Sequence, residues 1–290
     1  MRLLALLLLL LAISTAPAMA SHWRSGWGLV PAAPVPPAAA SNADAIARLV
    51  LEQQDGHWQA RVANPVAGPL QIRLSSAPGA SVPGLPLTRI LRAGNTEVVS
   101  PLPPPVDGRP LALRLEAIPG EPGAHPQDVV YQLPFEAPRF QVSQPPQGRY
   151  SHGDTENHDA IDFALPEATP VLAARAGKVM DLRSGYQGNG DDPLRDGPRA
   201  NFIRLLHDDG SMAVYAHLRP QGVLVRRGER VAVGQRIGLS GNTGYSRAPH
   251  LHFVVQVNAG MQLRSVPVRM AGPRGQLHFA READARPQTP

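Results

Sequence analysis

An all-β fold in two parts is what the sequence predicts: an N-terminal β-sandwich-like domain over residues 45–138, then an antiparallel-sheet domain with a groove over 139–275. Three observations lead there. Short runs alternate apolar and polar residues with a period of two, which puts the apolar side chains of a strand on one face. Gly and Pro stand between the runs, where turns need them. No long amphipathic helical pattern interrupts the second half, where His and Gly are concentrated.

Residues 1–20 read as a signal peptide: Arg2, an apolar run from Leu3 to Ile13, then Ala18-Met19-Ala20, with cleavage expected after Ala20. That run is about half of the roughly 20 apolar residues a membrane helix needs. No later stretch qualifies, so no integral membrane segment is expected after signal removal, and the mature protein is expected to be periplasmic or secreted. Residues 21–44 form an Ala/Pro-rich linker with Trp23 and Trp27 near its start, too poor in apolar bulk to fold alone. Strand runs come next at Ala47–Leu51, Trp58–Val62, Leu70–Leu74, Thr88–Leu91, Leu111–Leu115 and Val129–Leu133. This region holds no cluster of metal-ligand residues, so its expected role is a spacer or wall beside the next domain. In the second part the strand candidates are 160–165, 170–174, 178–182, 202–207, 212–217, 236–240 and 251–257, and residues 276–290 read as a C-terminal tail.

The absence of cysteine excludes disulfides, thiolate metal sites and a cysteine nucleophile, so any metal must be held by His, Asp or Glu. The formal charge is +5 and Lys178 is the one lysine, so nearly every cation is Arg. Arg grips carboxylate or phosphate through two parallel hydrogen bonds, which suits an anionic polymer; a merely solvated Arg-rich surface is the plainer reading. Export, and the lack of a basic stripe interleaved with aromatics, argue against nucleic acid.

Three clusters could carry chemistry. In His158-Asp159-Ala160-Ile161-Asp162, an extended chain would aim His158 and Asp162 to one side and send Ile161 and Phe163 to the core. With ten histidines in the chain, one such pair arises easily by chance. In His250-Leu251-His252-Phe253 the two imidazoles project from one strand face, an expensive arrangement if unpartnered; the plainer alternative is a hydrogen-bonded surface pair. In Tyr215-Ala216-His217-Leu218 two polar-tipped side chains again stand two apart, which alone is only a strand end with an exposed His.

Taken together, and with the glycine-rich run Gly238-Leu239-Ser240-Gly241-Asn242-Thr243-Gly244-Tyr245 between them, these pieces resemble the lysostaphin-type zinc metalloendopeptidase family from about Ser151 to Val266. The resemblance implies a zinc site of His158, Asp162 and His252, with His217 and His250 catalytic. Ser151-His152 lies close upstream, and some relatives carry Ser-His there with no His four before the Asp, so His152 is the alternate to His158. The stretch Asn242, Thr243 and Tyr245 is the candidate substrate-binding turn, where glycines let backbone approach an extended peptide; a turn needed only for folding is the plainer role. Where the family usually has Gly, this chain has Ala160 and Ala168, which removes backbone freedom. Residues 184–200 form a long loop that could rim or cover the groove.

The family resemblance and the export signal together predict an exported, monomeric hydrolase whose substrate is peptidoglycan, cut at a stem peptide or cross-bridge. Two His and one carboxylate suit a catalytic Zn2+ with an open position. His250 is expected as general base and His217 to hydrogen-bond the oxyanion or orient the water. Arg247 is a candidate to hold a substrate carboxylate, beside the plainer role of a solvated cation. The competing class is a non-enzymatic cell-wall-binding or amidase-activating module of the same fold, whose signature is missing ligands. A lipoyl- or biotinyl-like carrier would need its lysine at a hairpin tip, and Lys178 reads as part of a strand.

Overall fold

The computed structural model describes residues 46–104, 111–148, 150–273 and 275–279. The expected signal peptide, the Ala/Pro linker and residues 280–290 lie outside them. The first six strands are β1 Arg48–Gln54, β2 His57–Ala63, β3 Leu70–Ser76, β4 Leu87–Leu91, β5 Thr96–Leu102 and β6 Leu113–Pro119. They make two three-stranded antiparallel sheets, ordered β1-β2-β5 and β4-β3-β6. Asp55 and Gly56 close the β1–β2 hairpin with φ of 50° and 79°, the two left-handed residues that a two-residue turn with native strand twist requires. One buried cluster draws on both sheets, through Ala60 and Val62, Leu70, Ile72 and Leu74, and Leu113 and Leu115.

The remaining strands are β7 Val130–Tyr131, β8 Gln141–Gln144, β9 Ile161–Ala164, β10 Pro170–Leu172, β11 Gly177–Arg183, β12 Asn189–Gly190, β13 Asn201–Leu206, β14 Met212–Val223, β15 Arg230–Val231, β16 Arg236–Ser240, β17 Gly244–Tyr245, β18 His250–Asn258, β19 Leu263–Val266, β20 Arg269–Gly272 and β21 Gly275–Leu277. A four-residue helix, Pro193–Asp196, sits in the loop before β13. Ten strands share one antiparallel sheet whose main path runs β15-β11-β13-β14-β18-β9-β8, while β16 joins β14 to β10 and β19 flanks β18. Two short parallel pairings, β12 with β17 and β7 with β20, stand apart from the sheet. Among the described residues no helix is long and apolar enough to cross a membrane.

The alternation in β18 separates two faces. Leu251, Phe253 and Val255 enter a core with Ile161, Phe163, Ile203, Leu205, Ala213 and Tyr215. Val254, between His252 and Gln256 on the opposite face, packs in a thin patch with Ala160, Phe202, Val214 and Ala216.

The second part takes chain from beyond both of its expected bounds. β7 pairs with β20, and Phe135 bridges Val171, before residue 139 is reached. At the other end β21 crosses residue 275, and Phe279 meets Phe163 edge-on at 6.2 Å. The two parts also share a core, because Met180, Met212, Met261 and Leu263 belong to the buried cluster of the first six strands. Polar contacts reinforce it: Ala67 N donates to Met180 O at 2.8 Å, Met261 N to Gln71 Oε1 at 2.7 Å, and Asn258 Nδ2 to Gly120 O at 2.9 Å.

Candidate metal centre

His152, Asp162 and His252 form one buried group whose potential ligand atoms all lie within 4.8 Å of one another. Antiparallel register sets Asp162 of β9 opposite His252 of β18. His252 Nδ1 donates to Asp162 Oδ1 at 2.9 Å, and His152 Nε2 lies 3.3 Å from the same oxygen. His152 arrives from the segment before β9, held by its Nδ1 donating to the Pro145 carbonyl at 3.0 Å. A carbonyl cannot give a proton back, so a neutral His152 keeps its lone pair on Nε2. That Nε2 is buried and has no hydrogen-bond partner among the described residues. Such an orientation, one ring nitrogen tied to a carbonyl and the other aimed at a carboxylate and a second imidazole, is how metal-ligating histidines are commonly held.

His158, expected as the first ligand, does not join this group. Its side chain is 52% exposed and its Nδ1 lies 3.5 Å from Asp159 Oδ1. The even-spacing argument fails because residues 155–159 form a turn and the strand begins only at Ile161. Asp154 organises that turn, its Oδ1 accepting from Glu156 N and Asn157 N at 3.0 and 2.8 Å. The alternate, His152, is the histidine that meets Asp162.

His217 and His250 flank the group, their ring centroids 4.4 Å apart, and His217 stands 6.0 Å from the ring of His252. His217 gets there through a bulge: β13 pairs Asn201 with Leu218 but Phe202 with Ala216, so His217 is the extra residue, at φ 60°. The bulge re-aims its side chain. Tyr215, expected on the same side two residues earlier, goes instead to the core, where its hydroxyl accepts from Ala174 N. His217 Nδ1 donates to the Thr243 carbonyl at 2.7 Å. His250 Nδ1 donates to Ala248 O at 2.8 Å with Ser246 Oγ 3.1 Å away, and its Nε2 lies 3.9 Å from Asp162 Oδ2. Both imidazoles, when neutral, therefore keep the Nε2 lone pair.

Charge follows burial and neighbours. Burial would raise Asp162, but the adjacent imidazoles of His152 and His252 outweigh it and hold its carboxyl well below the usual range. In His152 burial pulls the pKa down and the Asp162 carboxylate more than restores it, for a net rise. Burial dominates in His217, with His250 and His252 adding to it, and its pKa falls well below the ordinary imidazole value. His252 also falls, burial prevailing over Asp162.

Of the expected substrate-binding turn, Thr243 is fully engaged inside the protein. Its hydroxyl donates to Leu218 O at 2.7 Å and accepts from Asn201 N at 3.0 Å. Asn242 accepts from Ser246 Oγ at 2.6 Å, and Tyr245 is half-buried with its ring stacked on Tyr150. Ser246, Gln256 and Tyr150 are the site residues that sequence reasoning missed. Gln256 had a signal in its even spacing from His252 along the strand, whereas Ser246, in the loop before β18, had none.

A divalent metal suits this donor set. Two imidazoles and a carboxylate without thiolate match a catalytic site with an open position.

Comparison with known proteins covers the same region. Residues 156–264 match the family described as Peptidase family M23, a span that contains Asp162, His217, His250 and His252 and begins just after His152. The chain is 39% identical over 97 residues to the peptidoglycan DD-endopeptidase ShyA of Vibrio cholerae, covering 33% of this chain and 19% of ShyA. It is 40% identical over 103 residues to lysostaphin of Staphylococcus simulans, covering 35% of this chain and 18% of lysostaphin. The matching stretch thus spans about a fifth of the length of these relatives. Among solved structures, the catalytic domain of the antimicrobial peptidase lysostaphin from Staphylococcus simulans is 31% identical, covering 42% of this chain and 82% of that one, with a TM-score of 0.29. Residues 156–264 are thus a Peptidase family M23 domain, of the lysostaphin type.

Proposed function

We propose that the protein is a zinc endopeptidase that hydrolyses peptide bonds in bacterial peptidoglycan, outside the cytoplasm and as a monomer. The observation that carries this reading is the convergence of His152, Asp162 and His252 in one buried group with two further imidazoles beside it. The cell-wall substrate is inferred from relatives named for peptidoglycan and glycyl-glycine cleavage.

Zinc held by His152, Asp162 and His252 would supply Lewis acidity, making water more acidic and a peptide carbonyl more electrophilic. The chain's own groups do the rest. His250, least buried of the five at 14% side-chain exposure, faces the approach side. With its Nδ1 proton fixed on Ala248 O, its Nε2 takes the proton of the attacking water and later gives it to the leaving amine. His217 stays neutral, and with Nδ1 donating to Thr243 O its Nε2 accepts a hydrogen bond rather than donating one. Of its two expected roles this favours orienting the water over holding the oxyanion.

Purified muropeptides incubated with the protein should yield shortened peptides by mass spectrometry, and a chelator should abolish them. Metal analysis should find about one zinc per chain. His152→Ala should lose both metal and turnover while His158→Ala keeps them. Full metal content and turnover in His152→Ala would sink the site.

A further inference from the structure

Beside the histidines lies a cation that the reaction does not use. Tyr150 stacks on Tyr245, ring centroids 5.1 Å apart and planes 20° apart, and the Arg247 guanidinium lies over the Tyr150 ring at 4.4 Å from its centroid. Tyr150 stands two residues before His152 and Arg247 three before His250, so chain length alone keeps them within roughly 7 and 10 Å of those residues. Tyr150 and Tyr245 are half-buried and Arg247 is exposed, and Ser246, between the last two, keeps its Oγ 3.1 Å from His250 Nδ1.

The loop over 184–200 builds this platform rather than covering it. β12 pairs with β17 in parallel, setting Gly190 against Tyr245. Ser246 N donates to Gly190 O at 3.0 Å, and Asn189 Nδ2 to Ser246 O at 2.8 Å. The loop is itself braced, with Arg195 bonding both oxygens of Asp196 and Asp192 N donating to Asp196 Oδ2. The backbone leading into Arg247 is therefore held at both the N–H and the carbonyl of Ser246.

Other arginines of the molecule have found acids. Arg175 pairs with Asp209 at 2.6 Å, Arg227 with Asp181 at 2.7 Å and Arg269 with Asp128 at 2.8 Å. Arg247 forms no ion pair or hydrogen bond among the described residues, and its partner is an aromatic face. Stacking uses the face of a guanidinium and leaves its edge, where the N–H fork matches a carboxylate, for something else. We infer that Tyr150, Tyr245 and Arg247 form a subsite that captures a free carboxylate of the peptide substrate. The inference rests on the peptidase reading and deepens it: a peptide carrying a free carboxylate near the scissile bond is the preferred ligand.

The test is binding, read apart from turnover. Isothermal titration of the full chain, dialysed against EDTA so that nothing is cut, would use three stem-type peptides. These are the free acid, its C-terminal amide and its side-chain amide. The free acid should bind at least about tenfold more tightly than one of the amides, and which one identifies the carboxylate. In Arg247→Ala that preference should vanish, with the affinity of the weak amide unchanged and the melting temperature kept. Equal affinities of acid and both amides, no binding of the acid, or a preference that survives in Arg247→Ala would each overturn the subsite. Hydrolysis by the undialysed protein, measured separately, reports on the peptidase reading alone.

Discussion

His217 and Thr243 are joined by one hydrogen bond, imidazole Nδ1 to carbonyl oxygen at 2.7 Å, and that bond fixes which nitrogen of His217 keeps its lone pair. Because His217 occupies left-handed backbone at φ 60°, Asn is the replacement that tolerates the position while lacking a basic nitrogen. His217→Asn should lower kcat/KM on muropeptides by about 10²-fold or more with little change in melting temperature. Near-normal turnover would remove His217 from the chemistry.

Ala168 carries a cost its sequence position hinted at. It sits at φ 65° in the turn before β10, its N–H donating to Ser240 O at 2.8 Å. A left-handed L-residue costs about 1–2 kcal/mol, partly offset because Gly loosens the unfolded chain. Ala168→Gly should therefore stabilise the protein by about 0.5–1 kcal/mol in urea unfolding. Ala160→Gly should do the opposite, since Ala160 is fully buried and is not among the left-handed residues. Two shifts of the same sign would contradict the backbone account.

His207, on the far hairpin, gives the protein an acid-side weakness. It is 2% exposed, its Nδ1 donates to Ala176 O at 2.8 Å, and burial pushes its pKa below the ordinary imidazole value. Below about pH 6.5 the unfolded chain binds a proton that the folded chain refuses, so stability falls as pH drops through that window. His207→Asn keeps an N–H for Ala176 but does not titrate. Its loss of stability between pH 7 and 5, followed by denaturant melts, should be smaller than that of the parent protein, and an equal loss would exonerate His207.

Gln256 braces the segment that delivers His152. Its Nε2 donates to Glu156 O at 2.9 Å, and its Oε1 accepts from the fully buried Arg204 at 2.8 Å. Burial has already lowered the Arg204 pKa to about 10. Gln256→Leu should weaken metal affinity by roughly 10- to 100-fold, read by competition with a chelating dye, while saturating metal restores most turnover. It should also cost about 1–3 kcal/mol by stripping the Arg204 guanidinium of its acceptor. Unchanged metal affinity would show that the brace is only structural.

The regular strands were the legible part. The run His250 to Val257 announces its two faces by alternation, and the structure puts His252 and Leu251 on opposite sides accordingly. Irregular backbone was not legible. A single inserted residue at His217 reverses the side it faces relative to Tyr215, and nothing in Tyr-Ala-His-Leu marks a histidine at positive φ. The substitution of His152 for His158 has the same root, since even spacing means something only inside a strand. There a signal did exist: Asp154, two and three residues ahead of the N–H groups it accepts from, is a turn-former in its usual place. The partners of the Thr243 hydroxyl, Leu218 O and Asn201 N, were not legible either, because a threonine beside glycines looks open.

Methionines 180, 212 and 261, with Leu263, are rooted in the interior of the preceding sandwich. A swing of the sandwich as a rigid flap would strip those four side chains of their surroundings, so it cannot serve as a hinged gate over the histidines without partial melting. Severing the chain near residue 138 would likewise leave an oily scar on the half that keeps the chemistry. The sandwich is part of the foundation of the half that carries the histidines.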